Sequence, residues 1–97
     1  MLAQPMIVPE ELTVHHVRAL APRLIEAARS GEALNLDLSA VSHIDTAGIQ
    51  LLLTVRREAN RALTRLEFAN PSAAVSEMVS FYRLDGLLQA PAPLLPA

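Results

Sequence analysis

The sequence predicts a small α/β domain: a parallel sheet of about four to five strands, covered by helices mainly on one face. Three observations lead there. Leu34, Leu36 and Leu38 alternate with Asn35 and Asp37, the period-two pattern of a strand with one buried face. From Ile49 the period changes, with Ile49, Leu52 and Leu53 recurring at helical spacing and Val55, Arg56 and Ala59 extending the stretch. Strand and helix then alternate along the chain through short connections, which implies parallel pairing and right-handed crossovers.

In chain order, residues 1–5 read as a flexible end, and Met6-Ile7-Val8 as a short edge strand stopped by Pro9. Glu10–Thr13 is a second short strand or turn. Val14–Arg29 is a helix with Val17, Leu20, Ala21, Leu24, Ile25 and Ala28 on its apolar stripe, closed by Ser30-Gly31. Pro22 within it removes one helical hydrogen bond, so it kinks the helix or marks its true start. Leu34–Leu38 is the central strand, and Val41 and Ile44 keep the chain in the core up to Asp45. The second helix runs to Arg61, with Arg56 lying along the stripe on its methylene stem and its head in water. Thr64–Phe68 alternates again, Leu66 and Phe68 facing one way and Arg65 and Glu67 the other. Asn70-Pro71-Ser72 opens the last helix, with Pro71 near its first position and Val75, Met78, Val79 and Tyr82 as the buried stripe. Asp85-Gly86 closes it, and Leu87-Leu88 reads as a final short strand. The folded domain thus spans residues 6–88, and residues 89–97 form a proline-rich tail.

Composition narrows the function. The chain has 97 residues, enough for one small domain. Hydrophobic residues make up 52% but aromatics only 3%, so the core is built from Leu, Val, Ile and Ala. A formal net charge of -2 supplies no field to attract nucleic acid or an anionic membrane. The absence of cysteine excludes disulfides, thiol catalysis and thiolate metal sites. No apolar run is long enough to cross a bilayer, and no signal-peptide pattern opens the chain, so the expectation is a cytoplasmic protein without direct membrane insertion.

The candidate functional stretch is the turn Ile44-Asp45-Thr46-Ala47-Gly48. Asp45 or Thr46 is suited to cap the following helix, because a short side-chain oxygen accepts from a free backbone N–H. Ala47 and Gly48 leave the first turn without bulk, so another surface can approach its backbone. Gln50, Thr54, Arg57 and Arg61 form a polar row on the same helix, and Leu51 is read as an exposed apolar contact beside the turn. Catalytic constellations are wanting. His15 and His16 are sequence neighbours whose side chains diverge. Ser42, His43 and Asp45 are too close in sequence to converge as a triad. The three glycines lie apart and form no phosphate loop.

This strand–turn–helix stretch resembles the signature of the STAS domain (sulfate transporter and anti-sigma factor antagonist). In that family a strand ends in an Asp-Ser/Thr-Ser/Thr/Gly/Ala-Gly turn that opens a helix. The matching residues are Asp45-Thr46-Ala47-Gly48, with Asp37-Leu38-Ser39 upstream. The resemblance implies a STAS-type sheet and a non-enzymatic interaction module without cofactor or metal. The expected partner is an anti-sigma factor of the serine/threonine kinase type, in a partner-switching or chemotaxis-linked system. The usual phospho-acceptor position falls on Ala47, which has no hydroxyl, so Thr46 becomes the candidate acceptor. Partner-binding residues are expected at Asp45, Thr46, Ala47, Gly48 and Gln50, with Thr54 and Arg57 at the rim. Two alternatives stand beside this one: the STAS subunit of a bacterial lipid-transport ABC complex binding its ATPase, and a STAS domain sensing a nucleotide or lipid. A homodimer is compatible with each.

Overall fold

The computed structural model describes residues 5–89. Five parallel strands form, but they divide into two sheets rather than one. The strands β1 (Pro5–Ile7), β3 (Leu34–Asp37) and β5 (Leu66–Ala69) make a three-stranded sheet in the order β1-β3-β5. The short strands β2 (Glu11–Leu12) and β4 (His43–Ile44) pair separately. Register places Leu34 beside Leu66 and Leu36 beside Phe68. These four side chains are buried, whereas Ile7 and Glu67 on the opposite face are exposed. The period-two pattern therefore marks the core side of the sheet correctly.

The helices α1 (Val14–Ala28), α2 (Thr46–Ala62) and α3 (Ala73–Phe81) join that core through Leu24, Leu52 and Val75, all essentially inaccessible. The helices α1 and α2 run parallel. Val14 and Asp45 meet at one end, and Arg29 pairs with Glu58 at the other. Pro22 lies inside α1 without ending it. It projects to the exposed side, where solvent is available to the carbonyl that loses its helical partner.

Asn70-Pro71-Ser72 does open α3, with Pro71 just before the N-cap; Ser72 caps, its hydroxyl accepting from the Val75 N–H at 3.2 Å. Several local expectations are corrected. Tyr82 is exposed, because α3 ends at Phe81 and Tyr82 turns outward as its C-cap. Leu87-Leu88 belongs to a short 3-10 helix, Asp85–Leu88, with Leu87 buried in the core. Arg56 does not keep its head in water. Its guanidinium donates to the carbonyls of Leu66 (3.3 Å), Leu87 (2.9 Å) and Gln89 (2.9 Å) and lies 5.0 Å from the Phe68 ring centroid. Pro5 is the first residue of β1 rather than part of a loose end. Of the expected proline-rich tail, only Gln89 lies within the described residues.

Candidate functional site at the start of the second helix

Asp45 settles which residue caps α2. Its Oδ1 accepts from the Gly48 N–H at 3.1 Å, and its Oδ2 accepts from the Val14 N–H at 2.9 Å. One carboxylate thus satisfies free donors at the starts of two helices. Such bonds favour the ionised form, and the Val14 N–H bond, the largest contribution, holds the Asp45 carboxyl below its usual range. Asp45 is accordingly a half-buried structural anchor beneath the candidate surface.

Gly48 is buried, and the surface that approaches it is internal. A Cβ at this position would stand 2.1 Å from the Leu12 carbonyl oxygen and 2.8 Å from Ile44 Cγ1. The glycine lets β2 and β4 close over the first turn of α2, so any part it plays in docking is indirect. Leu51 is buried as well, at 4% exposure, which corrects its reading as an exposed contact. It lies on the core side of the helix, a placement that the continuous Leu51-Leu52-Leu53 run obscures.

What remains at the surface is compact. Thr46, Gln50, Arg57 and Arg61 are exposed and Thr54 is half-buried. They recur at intervals of four, four, three and four residues and so share one helical face. Thr54 Oγ1 donates to the Gln50 carbonyl within the helix at 2.9 Å. Ala47 turns toward α1 and contributes to an open groove with Val14, Val17, Ala21 and Ile25. The Thr46 hydroxyl lies 2.8 Å from the Tyr82 hydroxyl. The Tyr82 ring meets Phe81 edge to face, with centroids 5.1 Å apart. Tyr82 and Phe81 complete the site from α3, and the sequence reading missed them. Period alone placed Tyr82 in the core and gave Phe81 no role.

The histidines enter no catalytic triad among the described residues. His16 sits beside Glu11 and Thr13. The Ser42 hydroxyl donates to Glu10 at 3.1 Å and lies 3.0 Å from His43 Nδ1, while Asp45 is occupied with the two helix starts. Here the serine joins the histidine to an acid, and among the described residues no acid is bonded to the histidine, so the order a triad requires is not formed. Among the described residues no group of three His, Cys, Asp or Glu could hold a metal, and no helix is long and apolar enough to cross a membrane.

The fold has known counterparts. The phosphorylated Bacillus cell fate determinant SpoIIAA superposes with a TM-score of 0.66 at 22% identity, covering 88% of this chain and 78% of that one. The anti-sigma factor antagonist SpoIIAA in its unphosphorylated form gives 0.69 at 22% identity, covering 88% and 76%. No curated protein matches the sequence. A family model described as "Mlab, STAS domain" matches residues 6–90. With that match, the Asp45-Thr46-Ala47-Gly48 turn and the observed fold, the chain belongs to the STAS-domain family.

Proposed function

We propose that this domain is a non-enzymatic, cytoplasmic docking module of a partner-switching signalling system. Its partner is an anti-sigma factor of the serine/threonine kinase type. The docking surface is the start of α2: Thr46, Ala47 and Gln50, with Thr54 and Arg57 at the rim and Asp45 and Gly48 shaping it from beneath. Thr46 is the candidate phospho-acceptor. One observation carries the reading. Of the five large apolar side chains exposed among the described residues, three lie at this end of the domain: Tyr82 meets the Thr46 hydroxyl, Phe81 packs against Tyr82, and Val14 shares a groove with Ala47. Exposed apolar side chains gathered near a hydrogen-bonding hydroxyl suit a contact surface, with apolar area and a specific polar position. A phosphoryl group there adds about two negative charges and three acceptor oxygens. The helix start tolerates that charge. A partner surface fitted to a neutral hydroxyl does not.

The test is affinity capture from native lysate with wild type and Thr46→Glu, the captured proteins identified by mass spectrometry. Capture of a kinase-type protein by wild type and its loss with Thr46→Glu is the expected result. Equal capture by both would remove Thr46 from the docking surface. A second reading, a subunit of a lipid-transport ABC complex that binds its ATPase, is favoured by Ala47. An alanine at the usual acceptor position suits a constitutive contact, and capture of a transporter ATPase would select it.

A further inference from the structure

The Thr46–Tyr82 contact joins residues 36 positions apart in sequence and ties the start of α2 to the end of α3. Backbone bonds fix the α3 end firmly: the Tyr82 N–H donates to Met78 (3.1 Å), the Arg83 N–H to Ser80 (3.0 Å) and the Leu84 N–H to Val79 (2.8 Å). The side chains are held far less. Tyr82 is 41% exposed and Phe81 76% exposed; the two rings meet edge to face, and Phe81 also lines an open groove with Ile44, Ala74 and Met78. Among the described residues the hydroxyl-to-hydroxyl bond is the one side-chain hydrogen bond of Tyr82, on a pair of exposed rings whose side-chain torsions have alternative staggered wells.

We propose that Tyr82 is a latch on Thr46. In the free domain its phenol hydroxyl holds the threonine hydroxyl. Engagement of that hydroxyl by a docked protein frees the Tyr82–Phe81 pair to enter the contact. Aromatic rings held loosely beside a hydrogen-bonding centre supply large contact area with few torsions to immobilise. The functional part of this inference rests on the docking surface proposed above. The latch itself is a property of the isolated chain, so the two are tested separately.

The chain has one tyrosine and no tryptophan, so its intrinsic fluorescence reports Tyr82 alone. Anisotropy and acrylamide quenching of that signal are to be measured on the free domain for wild type, Thr46→Ser, Thr46→Val and Thr46→Glu. Loss of the hydroxyl in Thr46→Val and its replacement by charge in Thr46→Glu are expected to lower anisotropy and raise quenching. Thr46→Ser is expected to match wild type. Identical signals from wild type and Thr46→Val overturn the latch. Should Thr46→Val unfold, Tyr82→Phe gives the reverse reading: in NMR the Thr46 side chain averages among rotamers, whereas an unchanged single rotamer overturns the proposal. With the captured partner, Tyr82→Phe is expected to bind about two- to fivefold more tightly, the scale of one modest neutral hydrogen bond no longer to be broken. If the free-domain signals change as expected but binding ignores Thr46→Glu, the latch stands and the docking reading falls. If binding depends on Thr46 but the tyrosine signal does not, the docking reading stands and the latch falls.

Discussion

At the scale of single residues, Asp45 and Gly48 do most to hold the candidate surface in shape. Replacing Asp45 by Ala leaves the Val14 and Gly48 N–H groups without their acceptor. Denaturant unfolding is expected to show a loss of about 1–2 kcal/mol, the upper part of the range for a helix cap because two helices share it. The carboxyl is held below its ordinary range by those N–H groups. Its contribution is therefore complete above about pH 4 and is lost as pH falls through the lower folded value. Asp45→Asn is expected to flatten the acid limb of the stability curve, and an unchanged limb would show that other carboxylates carry it. Gly48→Ala forces a methyl against the Leu12 carbonyl, which is backbone and cannot swing aside. The expected cost is about 1–3 kcal/mol or more by thermal or chemical unfolding. The motif glycine was legible in the sequence as a point of close approach. That the approaching surface is the chain's own β2 was not, because a two-residue strand carries no period.

At the scale of elements, the sequence is most readable where a regular period is long and least readable at ends. The Leu34–Leu38 and Leu66–Phe68 alternations identify the core face because each has one solvent side and one buried side. The end of α2 was read to within one residue, whereas α3 ends at Phe81, ahead of the expected close at Asp85-Gly86, because no glycine stands at its own end. Both close with the same pair of reversed backbone bonds, Thr64 N–H to Ala59 and Leu63 N–H to Asn60 in α2, and Leu84 N–H to Val79 and Arg83 N–H to Ser80 in α3. Leu63 and Arg83 take the left-handed position at φ 59° and 56°. A side chain there costs about 1 kcal/mol relative to glycine. Leu63 is also 82% exposed, so it gains little from burial. Leu63→Gly is therefore expected to raise stability by about 1 kcal/mol in chemical unfolding, with no loss of docking at the opposite end of the helix. Arg56 was misread for a different reason. Its position on the stripe suggested a stem lying along the core, but its three carbonyl partners come from β5 and the chain's C-terminal turns, which helical period does not reveal. Arg56→Met keeps the apolar stem and removes the donors. Hydrogen exchange is expected to speed up over Asp85–Gln89 while the central strand stays protected.

At the scale of the whole molecule, the fold gathers the parts of the candidate surface at one end of the paired helices. The parallel arrangement of α1 and α2 brings both helix starts together over Asp45. The return of the chain through α3 adds Tyr82 and Phe81 beside Thr46. Leu63 lies at the far end of α2, which makes it a suitable control. The turn motif and its helix were legible in the sequence. The assembly of Val14, Phe81 and Tyr82 around them was not, since it depends on how three helices meet. The most direct test of the central claim is calorimetric titration of the captured kinase-type partner with wild type, Thr46→Glu and Leu63→Gly. Thr46→Glu is expected to lose at least tenfold in affinity, equivalent to about 1.4 kcal/mol, and Leu63→Gly to bind as wild type. Equal affinities for wild type and Thr46→Glu, or a loss confined to Leu63→Gly, would contradict it and move the docking surface away from the start of α2.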